Sequence, residues 1–167
     1  TDRKGRRVVV VTGMGIVTSL GRGKAENWKA LTAGRSGIRR ITRFPTDGLR
    51  TTIAGTVDCL DVEPYSAPQL CIAMALTAAE EALREAKLPQ QPGFPGPLYL
   101  ATPPAELEWP QRKALYELPG SPDSGGYRRL LAAARTGQFR SMFEMFQFCS
   151  VAEQVATRLG TRGLPVS

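Results

Sequence analysis

The chain has 167 residues, the usual length of one domain, and its 42% apolar and 22% charged residues are ordinary for a globular protein. It contains no histidine, which excludes histidine-dependent serine and cysteine triads and disfavours most zinc sites. No apolar run is long enough to span a membrane, so we expect a cytoplasmic protein without a membrane partner.

The formal net charge of +7 favours an acidic partner, because a positive field speeds encounter with anions. The alternative is a solvated surface that is rich in arginine. Aromatic residues make up only 7% of the chain and do not alternate with the basic ones, which disfavours nucleic acid as the partner.

The first predicted element is a strand over Arg7–Thr12, which is β-branched and nearly continuous. Such a run is typical of a strand that is buried on both faces in a parallel sheet. Gly13, Gly15 and Gly21 punctuate the loop that follows. The sequence therefore predicts a buried strand that leads into a glycine-rich turn.

A short helix is predicted over Lys24–Ala33, with Trp28 and Leu31 on one face and Gly34 at its carboxyl end. Thr51–Val57 alternates between apolar and polar residues and predicts a second strand.

The clearest predicted element is a helix over Ser66–Leu88. Ser66 and Gln69 have capping-box spacing, and Pro89 ends the helix. A narrow apolar seam repeats every three or four residues along it. Its members are Ile72, Leu76, Ala79, Leu83 and Ala86.

A third strand is predicted over Leu98–Ala101, and short helices over Gln111–Glu117 and Tyr127–Arg135. A second apolar stripe follows, and it is typical of a core or subunit interface. Its members are Phe139, Met142, Phe143 and Phe146.

The last predicted helix begins at Ser150, which has capping-box spacing with Glu153, and Gly160 closes it after Leu159. The final segment, RGLPVS, has the composition of the start of another strand. Strands that alternate with helices predict an α/β class.

The three cysteines, Cys59, Cys71 and Cys149, fit neither a disulfide framework nor a metal-binding CxxC pattern. Cys149 lies next to the predicted cap at Ser150, where a helix amino-terminus would stabilise a thiolate. Because no histidine exists to work with it, we interpret Cys149 as a buried structural thiol.

The glycines after the first strand raise the alternative of a small dinucleotide-binding domain. That fingerprint needs a third glycine three positions after the second, where this chain has Thr18. It also needs an acidic residue about 20 positions further on, where residues 35–43 offer only arginines. The dinucleotide alternative is therefore the weakest, and no cofactor is expected.

The stretch RRVVVVTGMGIVTSLG resembles the opening of β-ketoacyl-acyl carrier protein synthases, members of the thiolase-like superfamily. The resemblance continues through ENWKALTAGRSGIRRITRF, TIAGTV, AMALTAAEEALREA and RLGTRGLPVS. It implies that residues 1–167 are a partial domain, the amino-terminal portion of a thiolase-like fold. The portion would end before the strand and central helix that carry the nucleophile.

The resemblance further implies a decarboxylative Claisen condensation that elongates fatty-acid or polyketide chains. A cysteine and two histidines would act in this reaction, and all three would lie after RGLPVS. The resemblance therefore assigns no catalytic, cofactor-binding or metal-binding residue to this chain, which we expect to be inert alone. The implied partners are an acidic acyl carrier protein with its thioesters and, in the complete enzyme, a second copy.

Two segments depart from the family pattern. SAPQLCIAMA has no charge where many members have a basic stretch that docks the carrier protein, and ATPPAELEWP replaces a glycine-rich loop beside the acyl pocket. Pro103, Pro104 and Ala105 there indicate either unusual substrate selection or a stiff surface loop. The carrier protein could instead meet a basic cluster formed by Arg128, Arg129, Arg135 and Arg140. A non-catalytic ketosynthase-like partner subunit remains an alternative to the enzyme.

Overall fold

The computed structural model describes residues 1, 3–63, 65–88, 93–103 and 147–166, with short stretches between 113 and 140. The chain divides into two compact units. The first unit contains Thr1–Asp61 and Ala73–Phe94, and the second contains Val62–Ile72 and Pro95–Ser167.

The first unit contains two short antiparallel ribbons. Strands β1 (Val17–Thr18) and β2 (Gly21–Arg22) form one ribbon. Strands β3 (Arg39–Arg40) and β4 (Ile53–Ala54) form the other, in which Arg39 lies opposite Ala54. Strand β4 lies within the predicted strand Thr51–Val57 but is shorter than predicted.

The predicted strand over Arg7–Thr12 is wrong for the described structure. Val9 is 94% exposed and Val11 is 79% exposed, and the segment has no backbone hydrogen-bond partner among the described residues. β-branched side chains favour extended backbone, but a strand also needs a neighbour to complete its ladder. The burial of such a strand depends on a partner that the local sequence does not contain.

Helix α1 (Gly23–Thr32) forms within a residue of the predicted bounds. Gly34 adopts a left-handed φ of 65°, as a residue just past a helix end commonly does, which confirms its predicted role. The buried residues of α1 are Asn27 and Ala30, whereas Trp28 and Leu31 are exposed.

Helix α2 (Ala67–Glu85) confirms the clearest sequence prediction, although it ends at Glu85 and not at the predicted Leu88. The Ser66 hydroxyl accepts a hydrogen bond from the Gln69 N–H at 3.2 Å, as the capping spacing predicts. In the predicted apolar seam, Ile72, Leu76 and Leu83 are buried.

Helix α3 (Phe148–Leu159) lies in the second unit and begins earlier than predicted. The residue at its amino-terminal cap is Gln147, not Ser150, because Gln147 already has extended backbone and its carbonyl accepts the Ser150 N–H at 3.0 Å. Gly160 ends the helix in a left-handed conformation with φ of 64°, as predicted. The buried face of α3 contains Val151, Ala152, Val155, Ala156 and Leu159.

A parallel bridge joins Tyr99 to Val166 within the second unit. The Leu100 N–H donates to the Val166 carbonyl at 2.9 Å, and the Val166 N–H donates to the Leu98 carbonyl at 3.0 Å. The third predicted strand and RGLPVS therefore pair in parallel, as an α/β chain should. The predicted helices 111–117 and 127–135 lie mostly outside the described residues, and the four residues of the second apolar stripe, Phe139, Met142, Phe143 and Phe146, lie outside them as well.

Candidate functional site

The glycine-rich turn lies directly against the backbone of α2. A Cβ atom at Gly13 would lie 2.0 Å from the Ala82 carbonyl oxygen, and one at Gly15 would lie 1.9 Å from the Ala78 carbonyl oxygen. No side chain larger than hydrogen fits at either position without moving the turn or the helix. The two glycines are therefore required for close packing.

Two glutamates of α2, one helical turn apart, hold this turn in place. Glu85 Oε2 accepts the Met14 N–H at 2.7 Å, and Glu81 Oε2 accepts the Ile16 N–H at 3.0 Å. Glu81 Oε1 also accepts the Lys24 N–H at 2.8 Å. We call Glu81, Glu85 and the three N–H groups that they accept the carboxylate clamp.

The hydrogen bonds of the clamp favour the ionised form of both glutamates and lower their pKa values. The hydrogen bond from the Lys24 N–H is the main cause that lowers the pKa of Glu81, and the Ile16 N–H lowers it further. The Lys24 ammonium, 2.5 Å from Glu85 Oε2, is the main cause that lowers the pKa of Glu85. The clamp thus joins the turn, the start of α1 and α2 through charged hydrogen bonds.

The amino-terminus of α1 is the place where a dinucleotide fold would bind pyrophosphate. Here Glu81 accepts the Lys24 N–H, and Glu26 Oε2 accepts the Arg22 N–H at 2.8 Å. An adjoining cleft of about 320 Å³ is lined by Glu26, Glu80 and Glu81 as well as by Arg22 and Arg84. A pyrophosphate would therefore meet carboxylates, and this geometry argues against the dinucleotide alternative.

Sequence reasoning did not assign any role to Glu81 and Glu85. Their i, i+4 spacing on α2, interleaved with Ala78 and Ala82, is a signal for a helix side that accepts close backbone packing. The partners lie 57 to 71 residues away in the chain, so no local pattern identifies them.

The cysteines do not form a site in the structure. Cys149 is the second residue of α3 and is exposed, so the expectation of a buried thiol is wrong. The reason is that α3 buries the face containing Val151 and Val155, and Cys149 lies off that face. Cys59 is also exposed, and partial burial raises the pKa of Cys71.

The residues expected to meet a carrier protein are accessible where the structure describes them. Arg128, Arg135 and Arg140 are exposed, whereas Arg129 lies outside the described residues.

The loop that was expected beside the acyl pocket is described only at its start. Pro103 is exposed, and Pro104 and Ala105 lie outside the described residues. Among the helices that the structure describes, none is long and apolar enough to cross a membrane.

A family model described as "Beta-ketoacyl synthase, N-terminal domain" matches residues 6–102. The chain is 38% identical over 89 residues to 3-oxoacyl-[acyl-carrier-protein] synthase 2 of Vibrio cholerae, covering 50% of this chain and 22% of that protein. It is 41% identical over 86 residues to the tetracenomycin polyketide synthase ketoacyl synthase beta subunit of Streptomyces glaucescens, covering 48% and 21%. The chain thus spans about a fifth of the length of these curated relatives.

A solved structure titled the ishigamide ketosynthase/chain length factor shares the fold. Its TM-score is 0.65 at 23% sequence identity, and the match covers 98% of this chain and 40% of that one. Together with the family match, this likeness confirms the α/β class and the amino-terminal portion of a thiolase-like ketosynthase fold.

Proposed function

The chain belongs to the β-ketoacyl synthase family through its amino-terminal domain, and from this premise we propose that it serves a 3-oxoacyl-acyl carrier protein synthase. The complete enzyme would elongate fatty-acid or polyketide chains by decarboxylative Claisen condensation. The observation that carries the proposal is the match over residues 6–102, which includes the glycine turn. The clamp geometry supports it, because it gives that turn a packing role in place of phosphate binding.

In the proposed reaction, a cysteine thiolate attacks an acyl thioester and releases the carrier thiol. Malonyl-carrier protein then loses carbon dioxide, and the resulting carbanion attacks the acyl-enzyme carbonyl and releases the cysteine. Covalent catalysis divides one difficult step into two easier ones. We propose that the 167 residues supply framework to this reaction and no catalytic group, since they contain no histidine and the resemblance matches none of their three cysteines to the nucleophile.

The proposed setting follows from the same family membership. We propose that the complete enzyme is a cytoplasmic homodimer that receives its substrates from an acidic acyl carrier protein. The formal net charge of +7 supports a partner of that charge.

A test of the proposed function compares the complete protein with the isolated 167 residues. The complete protein should take up a radiolabelled acyl group from acyl-carrier protein and decarboxylate malonyl-carrier protein. The isolated chain should do neither, because the family resemblance matches none of its cysteines to the nucleophile that takes up the acyl group and because it contains no histidine for the decarboxylation. Stoichiometric acylation of Cys149 in the isolated chain at neutral pH would contradict the proposal that this chain contributes no catalytic group.

A second candidate function is a non-catalytic subunit that shapes the pocket of a heterodimer. It is favoured by one relative whose name is a ketoacyl synthase beta subunit and by the neighbour titled a ketosynthase/chain length factor. Intact-mass measurement of the complete protein after incubation with acyl-carrier protein separates the two candidates. An acyl adduct on the protein alone supports the enzyme, whereas an adduct only on a co-purified second subunit supports the partner.

The basic cluster provides a test of the proposed carrier-protein partner. Reversing the charge of Arg128 and Arg129 in the complete protein should slow carrier association about threefold to tenfold at low salt and flatten its salt dependence. Stopped-flow measurement of the association rate checks this result. An unchanged rate at low salt would identify the cluster as a solvated surface.

A further inference from the structure

We draw no further inference here: the strongest candidate, the hollow of about 370 Å³ lined by residues 40–47 next to the β3–β4 ribbon, carries nothing because nothing in the described part of the structure shows what occupies it.

Discussion

Two adjacent segments of the chain, Val8–Val11 and Gly13–Ile16, are in opposite situations. The first has the stronger strand propensity, yet its four valines are between 57% and 94% exposed. The second contains two glycines, which favour no regular element, yet it is fixed against α2 by Glu81 and Glu85. The difference teaches that partners distant in sequence, and not a segment's own propensity, decide here whether the segment is packed against the rest of the molecule.

The largest expected effect is on the stability of the isolated 167 residues, in which the side chains of Val8–Val11 are exposed. Each large apolar side chain left uncovered forfeits roughly 1.5–3 kcal/mol, against a net domain stability of about 5–15 kcal/mol. Val9, Val11, Trp28 and Leu31 are all mostly exposed, although the seam of α2 is buried. We therefore expect the isolated chain to bind a hydrophobic dye and to melt without cooperativity.

Differential scanning calorimetry and dye fluorescence, with the complete protein as control, check this expectation. A sharp two-state transition from a soluble monomer of 167 residues would contradict it. That result would show that exposed valines are compatible with a self-sufficient domain and would raise a binding-module role above that of an enzyme portion.

The glycine segment should be intolerant of a single added methyl group. Gly13→Ala in the complete protein places Cβ 2.0 Å from the Ala82 carbonyl oxygen, so either α2 or the turn must shift. We expect a loss of about 3 kcal/mol in the free energy of unfolding, or failure to fold. Urea titration followed by circular dichroism measures the loss.

Gly48→Ala is the control for this substitution. Gly48 has a positive φ of 79°, which Gly13 does not have, but a Cβ at Gly48 meets nothing within 4 Å, so the only cost expected there is backbone strain of about 1 kcal/mol. If Gly13→Ala is as stable as Gly48→Ala, close packing against α2 is not what fixes the turn.

Helix ends are the part of this fold that the sequence predicts best. Helix ends depend on nearby residues, and Gly34, Ser66 and Gly160 mark them correctly. The predicted cap at Ser150 is wrong. The capping residue is Gln147, which has extended backbone and whose carbonyl accepts the Ser150 N–H.

The candidate site was predictable only in part. The missing third glycine disfavours a nucleotide site from sequence alone, and the clamp geometry agrees with that reasoning. The clamp itself could not be predicted, because it joins Ile16 to Glu81 across 65 residues and depends on how α2 is placed. Hydrogen bonds between distant segments follow from the packing of whole elements, and capping patterns do not contain that information.

A smaller effect is expected from removing the charge of the clamp. Glu81→Gln leaves one oxygen to accept the N–H groups of Ile16 and Lys24 and sets an amide donor against the other. Because Glu81 is partly solvated, we expect a loss of about 1 kcal/mol. Glu80→Gln is the matched control, since Glu80 accepts no hydrogen bond among the described residues.

The loss of stability in Glu81→Gln should also depend on pH. The pKa values of Glu81 and Glu85 are lowered in the folded chain, chiefly by hydrogen bonds from Lys24. Their contribution is therefore full above the ordinary range of a glutamate and is lost as pH falls through the lowered pKa values. Urea titrations from about pH 7 to about pH 3 should show the difference between wild type and Glu81→Gln shrinking with acid. A difference that stays constant over this range would show that the glutamate acts by packing and not by charge.

The smallest effect on stability is expected in the valine segment itself. Val9→Ser with Val11→Ser removes apolar surface that is already exposed, so the free energy of unfolding of the first unit should change by less than about 0.5 kcal/mol. Hydrogen exchange at the N–H groups of Met14 and Ile16, which the clamp protects, reports this stability even where the chain as a whole melts without cooperativity. Dye binding by the isolated chain should fall at the same time, because the exposed valines are part of the surface that the dye recognises. In the complete protein the same double substitution should be costly if another strand covers the valines, since each buried valine contributes roughly 1.5–3 kcal/mol. A small loss of stability in the isolated chain together with a large loss in the complete protein would show that Val8–Val11 is a strand that is covered by another strand only in the complete protein. Equal small effects in both would mean that the valines stay exposed in the complete protein too.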